Sequence, residues 1–167
     1  MRLYIKQKVF SFKDRFTVKD AAGEDRYFVE GKLISLGKKL TITDAAGNEV
    51  AFVRQKVLTL LPKFFVEING EEVAQIKKKL TFLKPKYEVE GLDWSVDGDF
   101  FSHDYTISEN ENVIASIHKR WMAWGDTFEL DISDNADEVL ALAVILAIDA
   151  VMDAAAAASA ASSSNNN

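Results

Sequence analysis

The sequence predicts a mainly β protein, in which about twelve antiparallel strands form a closed barrel around a central hydrophobic C-terminal helix. Short segments of alternating apolar and polar residues, separated by turn residues, recur along most of the chain, as they do in successive β-hairpins. They are followed by a run without a polar side chain, residues 139–148. A helix that is apolar on every side must be surrounded on every side, and a barrel lumen provides such surroundings.

A repeated unit identifies the hairpins. Gly23, Gly47 and Gly70 each begin a ten-residue run that ends in a lysine, and Asn110 begins a fourth run of this kind. Glycine and, after it, asparagine tolerate the left-handed backbone that a tight turn requires. Each unit is therefore expected to consist of strand, turn and strand. The strands are expected near residues 3–10, 16–19, 26–32, 39–43, 49–55, 63–68, 72–79, 86–89, 93–96, 104–107, 113–119 and 126–131.

The C-terminal helix has a recognisable start. Asn135 is the expected N-cap, with Glu138 three residues later, and the helix is expected to span about residues 136–153. A transmembrane span is not expected, because a bilayer core requires about 20 apolar residues and a stretch of that length would include Asp149 and Asp153. A barrel of about twelve strands is too wide for its own side chains to fill, so the lumen is the favoured place for the helix.

A single domain is expected over residues 1–153. Within it, Leu142, Leu146 and Ile148 are expected to be inaccessible to solvent. Residues 154–167 are of low complexity, first alanine-rich and then rich in serine and asparagine. The alanines of this segment are expected to extend the helix for a turn or two. The serines and asparagines have little to bury, and the rest of the segment is predicted to be a disordered tail.

Several segments resemble the LURP-one-related (LOR) family. They are LYIKQKVFSFKDRFTVKD, YFVEGKLISLGKKLTITD, KVLTLLPKFFVEING, VAQIKKK and IHKRWMAWGDTFELDI, followed by the apolar helix. The similarity runs from about Leu3 to Asp153. It implies membership of the tubby C-terminal-like group, which includes tubby proteins and phospholipid scramblases, and a twelve-stranded barrel around a hydrophobic helix. Tubby domains bind phosphoinositides through basic surface residues and scramblases are associated with lipid movement, but the resemblance offers no site motif that could be carried over residue by residue.

The net charge of −6 conceals an uneven distribution along the chain. Residues 1–86 contain 18 lysines and arginines against 10 aspartates and glutamates, whereas residues 87–167 contain 2 and 16. Two interpretations stay open. The asymmetry marks a surface that binds anions, or strands of the two halves interleave and the charges mix on the folded surface.

The densest basic segment is residues 77–86, where five lysines alternate with apolar residues. Basic residues with apolar neighbours suit an anionic membrane surface. Lys78 is expected to point to the lumen, because neighbouring residues of a strand face opposite sides. The predicted lipid- or anion-binding surface therefore consists of Lys77, Lys79, Lys84 and Lys86. The alternative is a solvated hairpin end whose lysines protect an edge strand from pairing.

No metal site and no catalytic group are predicted. Residues 93–104 match the spacing of a calcium-binding EF-hand loop, but their flanks are predicted strands and not helices, and turns are rich in aspartate and glycine in any case. His103 stands beside Asp104, and such a pair could act as a base. Neighbours on a strand point apart, however, and no nucleophile motif accompanies them, so His103 is expected to be a surface residue.

The function expected from these features is that of a non-enzymatic binding module of the LOR and tubby-like kind, which engages anionic lipid headgroups or a protein at the membrane surface. The alternative is an intracellular scaffold or a ligand-carrying barrel without lipid affinity. No cofactor is expected, and nucleic acid is disfavoured because the chain is acidic. The start of the chain has no apolar signal-peptide core, so a cytoplasmic location is expected. The protein is further expected to be a monomer and to lie peripherally at the membrane.

Overall fold

The computed structural model describes residues 1–6, 15–34, 37–82, 84–122 and 125–164. This part of the chain forms twelve strands and one helix. The strands are β1 (Arg2–Lys6), β2 (Arg15–Asp20), β3 (Asp25–Ile34), β4 (Gly37–Asp44), β5 (Glu49–Lys56), β6 (Lys63–Ile68), β7 (Glu71–Lys79), β8 (Lys86–Glu90), β9 (Trp94–Asp99), β10 (Asp104–Glu109), β11 (Asn112–Met122) and β12 (Gly125–Ile132). They are followed by the helix α1 (Glu138–Ser164).

One antiparallel sheet contains all these strands, in the order β8-β7-β6-β5-β4-β3-β2-β1-β12-β11-β10-β9. The pairing of β1 with β12 brings the two ends of the strand sequence together. Within the described residues β8 and β9 share no ladder, although only a short turn connects them, so the barrel is nearly closed. The predicted twelve-stranded antiparallel barrel is confirmed. Residues 7–10, predicted as the end of the first strand, lie outside the described residues.

The two halves of the chain do not interleave. Strands β1 to β7 of the first half form one continuous part of the wall, and β8 to β12 of the second half form the rest. The interpretation that the charges mix because strands of the two halves alternate is therefore wrong. The reason is the simple up-and-down connection of neighbouring strands, which keeps residues that are close in sequence close in the wall.

Because successive strands are antiparallel, alternate connections lie at the same end of the barrel. One end, which we call the turn end, has tight turns; the other, the loop end, has the connections after β1, β3, β5, β7, β9 and β11. The turn-end connections are residues 21–24, 45–48, 69–70, 91–93, 110–111 and 133–137. The repeated turn residues adopt the expected left-handed backbone, with φ of 83° at Gly23 and 46° at Asn110.

Helix α1 enters the lumen at the turn end. All residues from Ala141 to Val151 are buried, which on a helix covers every side, so strands surround this segment completely. Leu142, Leu146 and Ile148 are inaccessible to solvent, as predicted. The lumen is thus filled by the helix and by the inward side chains of the strands.

The helix limits differ from those predicted. The N-cap is Asp137, whose Oδ1 accepts a hydrogen bond of 2.9 Å from the N–H of Leu140; Asn135, the predicted cap, lies two residues too early. At the other end the helix continues from 153 to Ser164. The alanines thus extend it, as expected, but residues 162–164, expected to be disordered, are also helical. The physical reason is that alanine has the highest helix propensity of all residues, which prolongs a helix already anchored in the barrel.

By length and composition, α1 could cross a membrane. The candidate span is Glu138–Ser162, but 67% of its most apolar window is buried inside the barrel. The apolar character of the helix is explained by its place in the core of the protein.

Candidate functional site

The two ends of the barrel carry opposite charge. At the loop end, three neighbouring connections with their flanking strand ends contain nine lysines and no acidic residue; they are residues 31–39, 56–63 and 78–86. At the turn end, six connections with their flanks contain sixteen acidic residues and no lysine or arginine; they are residues 20–25, 44–49, 67–72, 90–93, 109–112 and 131–138. The barrel is therefore electrically polarised along its axis. An acidic exception at the loop end is the β9–β10 hairpin, with Asp97, Asp99 and Asp104.

Two of the predicted lysines are paired with glutamates on the outer face of the wall. Lys77 contacts Glu90 and lies 3.3 Å from Glu88, and Lys79 lies 3.2 Å from Glu88. The hydrogen bond to Glu90 raises the pKa of Lys77, and the bond from Lys77 lowers the pKa of Glu90. The positive charge of Lys77 and Lys79 is thus largely balanced within the sheet.

The other two predicted lysines have a different environment. Lys84 lies on the β7–β8 loop and Lys86 begins β8; both are exposed, and neither forms an ion pair with another described residue. Lys86 stands opposite Lys79 in the ladder. Lys78, as expected from strand alternation, lies on the lumen face after buried Ile76 and lines a cavity at the mouth of the barrel. The structure thus separates the predicted lysines into a paired set and an exposed set.

Large apolar side chains project from the same end. Leu58 and Phe82 are fully exposed, Leu60 is 96% exposed and Leu80 is 81% exposed. They belong to the β5–β6 and β7–β8 loops, which are neighbours on the rim because β5 to β8 are consecutive in the sheet. Phe101, on the β9–β10 loop, is 82% exposed. Sequence reasoning did not single out these residues as a group, because their common position depends on the topology.

A cavity of about 430 Å³ lies beside the unpaired edges of β8 and β9, where α1 leaves the barrel. Its lining includes Lys78, Tyr87, Phe100, His103, Met152 and Asp153. The rings of Tyr87 and Phe100 pack edge to face, with 4.6 Å between their centroids. Aromatic walls with a few polar groups are typical of small-molecule sites of this size.

His103, which lines this cavity and is half-buried, contacts the buried Asp149 of the central helix. Nε2 of His103 is 3.3 Å from Oδ1 of Asp149, and the ring of His103 packs at a tilt of 40° against that of Phe128, with 4.9 Å between the ring centroids. Burial raises the pKa of Asp149 to about 6, partly opposed by the contact with His103. Burial and the nearby charge of Asp149 also raise the pKa of Tyr105.

Sequence reasoning missed this pair. It considered His103 with Asp104, but Oδ1 of Asp104 instead lies 2.8 Å from Nδ1 of His118 on the neighbouring strand. A usable signal was present, since Asp149 is a charged residue within an apolar helix and a buried charge requires a partner. His103 is also half-buried and not the surface residue expected.

The EF-hand-like segment forms a β-hairpin. Ser95 and Asp97 lie on β9, and Asp104 begins β10. In the described part of the chain, no group of three or more histidine, aspartate or glutamate side chains is placed to hold a metal ion. Asp99 accepts a hydrogen bond of 2.6 Å from the hydroxyl of Ser102 and organises the β9–β10 loop.

Comparisons with known proteins agree with this architecture. The family model described as LURP-one-related matches residues 1–149. The uncharacterized protein YxjI of Bacillus subtilis (strain 168) is 38% identical over 152 residues, which cover 91% of this chain and 94% of that protein. The X-ray structure of a protein from Arabidopsis thaliana resembles this fold with a TM-score of 0.63 at 16% sequence identity, over 90% of this chain and 91% of that one.

Proposed function

Since the chain belongs to the LURP-one-related family, we propose that it acts as a non-enzymatic binding module that docks through its loop end on an anionic membrane surface. The observation that carries this proposal is the separation of charge along the barrel axis. The protein is acidic overall, yet its loop end attracts anions, and the repulsion of its acidic turn end favours one orientation. We further propose that it is a cytoplasmic monomer, bound peripherally to the membrane.

The expected affinity is modest. A lysine close to an anionic membrane contributes about 1 kcal/mol. Lys77 and Lys79 are already paired with glutamates, so we expect less from them than from Lys84 and Lys86. A few exposed lysines such as Lys84 and Lys86, on neighbouring loops, would support weak and reversible binding that salt screens readily.

The geometry of the histidines supports binding over catalysis. Their described polar contacts are to aspartates, Asp149 for His103 and Asp104 for His118. A hydrolytic site of the familiar kind would place a serine or another nucleophile within hydrogen-bond reach of the base.

Vesicle co-sedimentation tests the proposal. The protein is mixed with phosphatidylcholine vesicles, with and without phosphatidylserine, at 0.05 and 0.5 M salt. The double variant Lys84→Gln, Lys86→Gln removes two loop-end charges, and the control Arg2→Gln, Lys19→Gln removes two charges from strands nearer the turn end. We expect salt-sensitive binding that the first variant weakens and the control does not. Equal weakening by both variants, or no binding by the wild type, would contradict the proposal.

The cavity favours a second candidate function, that of a carrier for a small amphiphilic ligand without membrane affinity. Its volume and aromatic walls suit such a ligand. Titration with the fluorescent probe anilinonaphthalene sulfonate tests this, with Ala156→Trp as the variant that fills the cavity. Saturable binding that the variant abolishes would support the carrier function, and binding unchanged in the variant would exclude this cavity as the site.

A further inference from the structure

The β5–β6 and β7–β8 loops have closely related sequences. The first reads Leu58-Thr59-Leu60 and the second Leu80-Thr81-Phe82, and each is followed within a few residues by proline and lysine. In both loops the central threonine hydroxyl donates a hydrogen bond to a lysine carbonyl of its own loop region: Thr59 to Lys56, at 3.3 Å, and Thr81 to Lys84. The two neighbouring loops therefore share a sequence pattern and a threonine-to-carbonyl hydrogen bond, which runs three residues backward from Thr59 and three residues forward from Thr81.

Each of the two loops exposes apolar side chains on either side of its central threonine. Leu58, Leu60, Leu80 and Phe82 are all at least four-fifths exposed. Leu58 has φ of 59°, in the left-handed region that a leucine rarely adopts. Backbone strain that keeps a fully exposed leucine away from the core is typical of functional loops and not of packing.

From these observations, and resting on the proposed function, we infer that the two loops insert Leu58, Leu60, Leu80 and Phe82 below the headgroups of an anionic bilayer. We call these four residues the loop tips. The loop tips have strand-end lysines on either side: Lys56 and Lys63 flank the first loop, and Lys79 and Lys86 flank the second. Cations at headgroup level with apolar groups beyond them match the layered chemistry of a bilayer surface.

Insertion of the loop tips adds an apolar contribution to binding that charge alone does not supply. Attraction between lysines and anionic lipids weakens as salt rises, whereas the contribution of inserted apolar side chains scales with the apolar area that they bury. Two contributions with different salt dependence can be measured separately. Their separation also distinguishes a membrane from an acidic protein partner, which would have no acyl region for the loop tips to enter.

The first experiment measures binding to vesicles of phosphatidylcholine and phosphatidylserine at low and high salt. The tip variant carries serine at the four loop-tip positions. The control variant, Phe28→Ser with Val113→Ser, removes exposed apolar side chains from strands away from the loop tips. We expect the tip variant to bind about tenfold or more weakly, with most of the loss persisting at high salt, and the control variant to bind as the wild type does.

The second experiment measures how deeply the loop tips enter the bilayer. The tryptophan fluorescence of Phe82→Trp is compared with that of Phe28→Trp on vesicles whose brominated acyl chains quench a nearby tryptophan. The wild-type fluorescence is subtracted from each, because the protein already contains three tryptophans. We expect a blue shift and quenching at position 82 and neither at position 28. Salt-sensitive binding without quenching at position 82 would overturn insertion and leave the proposed function standing.

Two other results are equally decisive. No binding by the wild type to any anionic vesicle at low salt would overturn both the proposed function and insertion. A wild-type dimer in sedimentation analysis that the tip variant fails to form would identify a second copy of this chain as the occupant of the loop tips, and would overturn insertion.

Discussion

Nε2 of His103 lies 3.3 Å from Oδ1 of Asp149, which joins the β9–β10 loop to the central helix at the mouth of the barrel. Asp149 is the buried carboxylate of an otherwise apolar helix segment. Its raised pKa shows that the contact with His103 only partly offsets the cost of burying its charge. The aspartate therefore lowers the stability of the fold at neutral pH, which is a property often associated with functional positions.

Replacing Asp149 with asparagine is expected to stabilise the protein at pH 7.5. The folded-state pKa of about 6 lies above the ordinary value of 3.8, so the folded state binds more protons between these values and loses stability as the pH rises through them. The charge penalty at neutral pH corresponds to about 3 kcal/mol. Urea unfolding should show a gain of up to this size at pH 7.5 that disappears near pH 4. Asp93→Asn, at an exposed position on the β8–β9 turn, is the control, and a constant difference at all pH values would contradict the explanation.

Leu146→Ala should lower the free energy of unfolding by about 2–5 kcal/mol, because it leaves a cavity inside the filled lumen. The matched control is Leu58→Ala, which makes the same chemical change at a fully exposed position and should change stability little. Chemical denaturation of both variants checks this. A soluble, stable protein with unchanged strand content after truncation at Asp134 would disprove the role of the helix as the core of the barrel.

Tyr27→Phe is expected to cost about 1.5 kcal/mol. The hydroxyl of Tyr27 donates a hydrogen bond of 2.8 Å to Oε1 of Glu138, which also receives Nε of Arg26 at 3.2 Å, so this bond attaches the start of the helix to β3. The control is Tyr4→Phe on β1. Thermal unfolding should separate the two variants, and equal melting temperatures would show that the bond to Glu138 contributes nothing.

Gly98→Ala should destabilise the β9–β10 hairpin. A Cβ atom at Gly98 would lie 2.5 Å from backbone atoms of Asp104 and Tyr105, and its φ is 144°. We expect a loss of about 3 kcal/mol. At Gly23, φ is also positive but nothing lies within 4 Å of an added Cβ, so Gly23→Ala should cost about 1 kcal/mol. Similar losses for the two variants, measured by urea unfolding, would refute the clash.

Calcium is expected to have no specific site at residues 93–104. Isothermal titration with millimolar calcium should give no saturable heat, because Ser95 and Asp97 lie along a β-strand and not in a loop that wraps around an ion. A micromolar affinity that Asp97→Asn removes would disprove this expectation.

The strands were predictable because their signals are local. The glycine of each repeated turn requires a left-handed backbone whatever the rest of the chain does, and alternation marks the strand on either side of it. The helix cap was harder, since Asn135 and Asp137 are both good N-caps and only the fold decides between them. The end of the helix after residue 153 was hard to predict for a similar reason. The alanines favour a helix, but how far they continue one depends on a preceding helix that is anchored in the barrel.

The candidate sites were less predictable because they depend on contacts between distant residues. His103 and Asp149 are 46 positions apart, and neither position alone indicates the other. The density of lysines at residues 77–86 is visible in the sequence, but the pairing of Lys77 with Glu90 depends on the register of β7 and β8. The loop tips become a group only once two loops are placed side by side.

The pairing of β1 with β12 has a consequence for how the protein folds. Leu3 lies opposite Leu130, so this ladder cannot form until about 130 residues have been synthesised. The entropic cost of closing so long a loop slows its formation further. The helix that fills the lumen follows β12. During synthesis the inner faces of the earlier hairpins therefore remain uncovered. Closure between the distant strands β1 and β12, in a sheet whose other described pairings join consecutive strands, is expected to be the slow step. We expect the nascent chain to need protection from aggregation until the helix emerges.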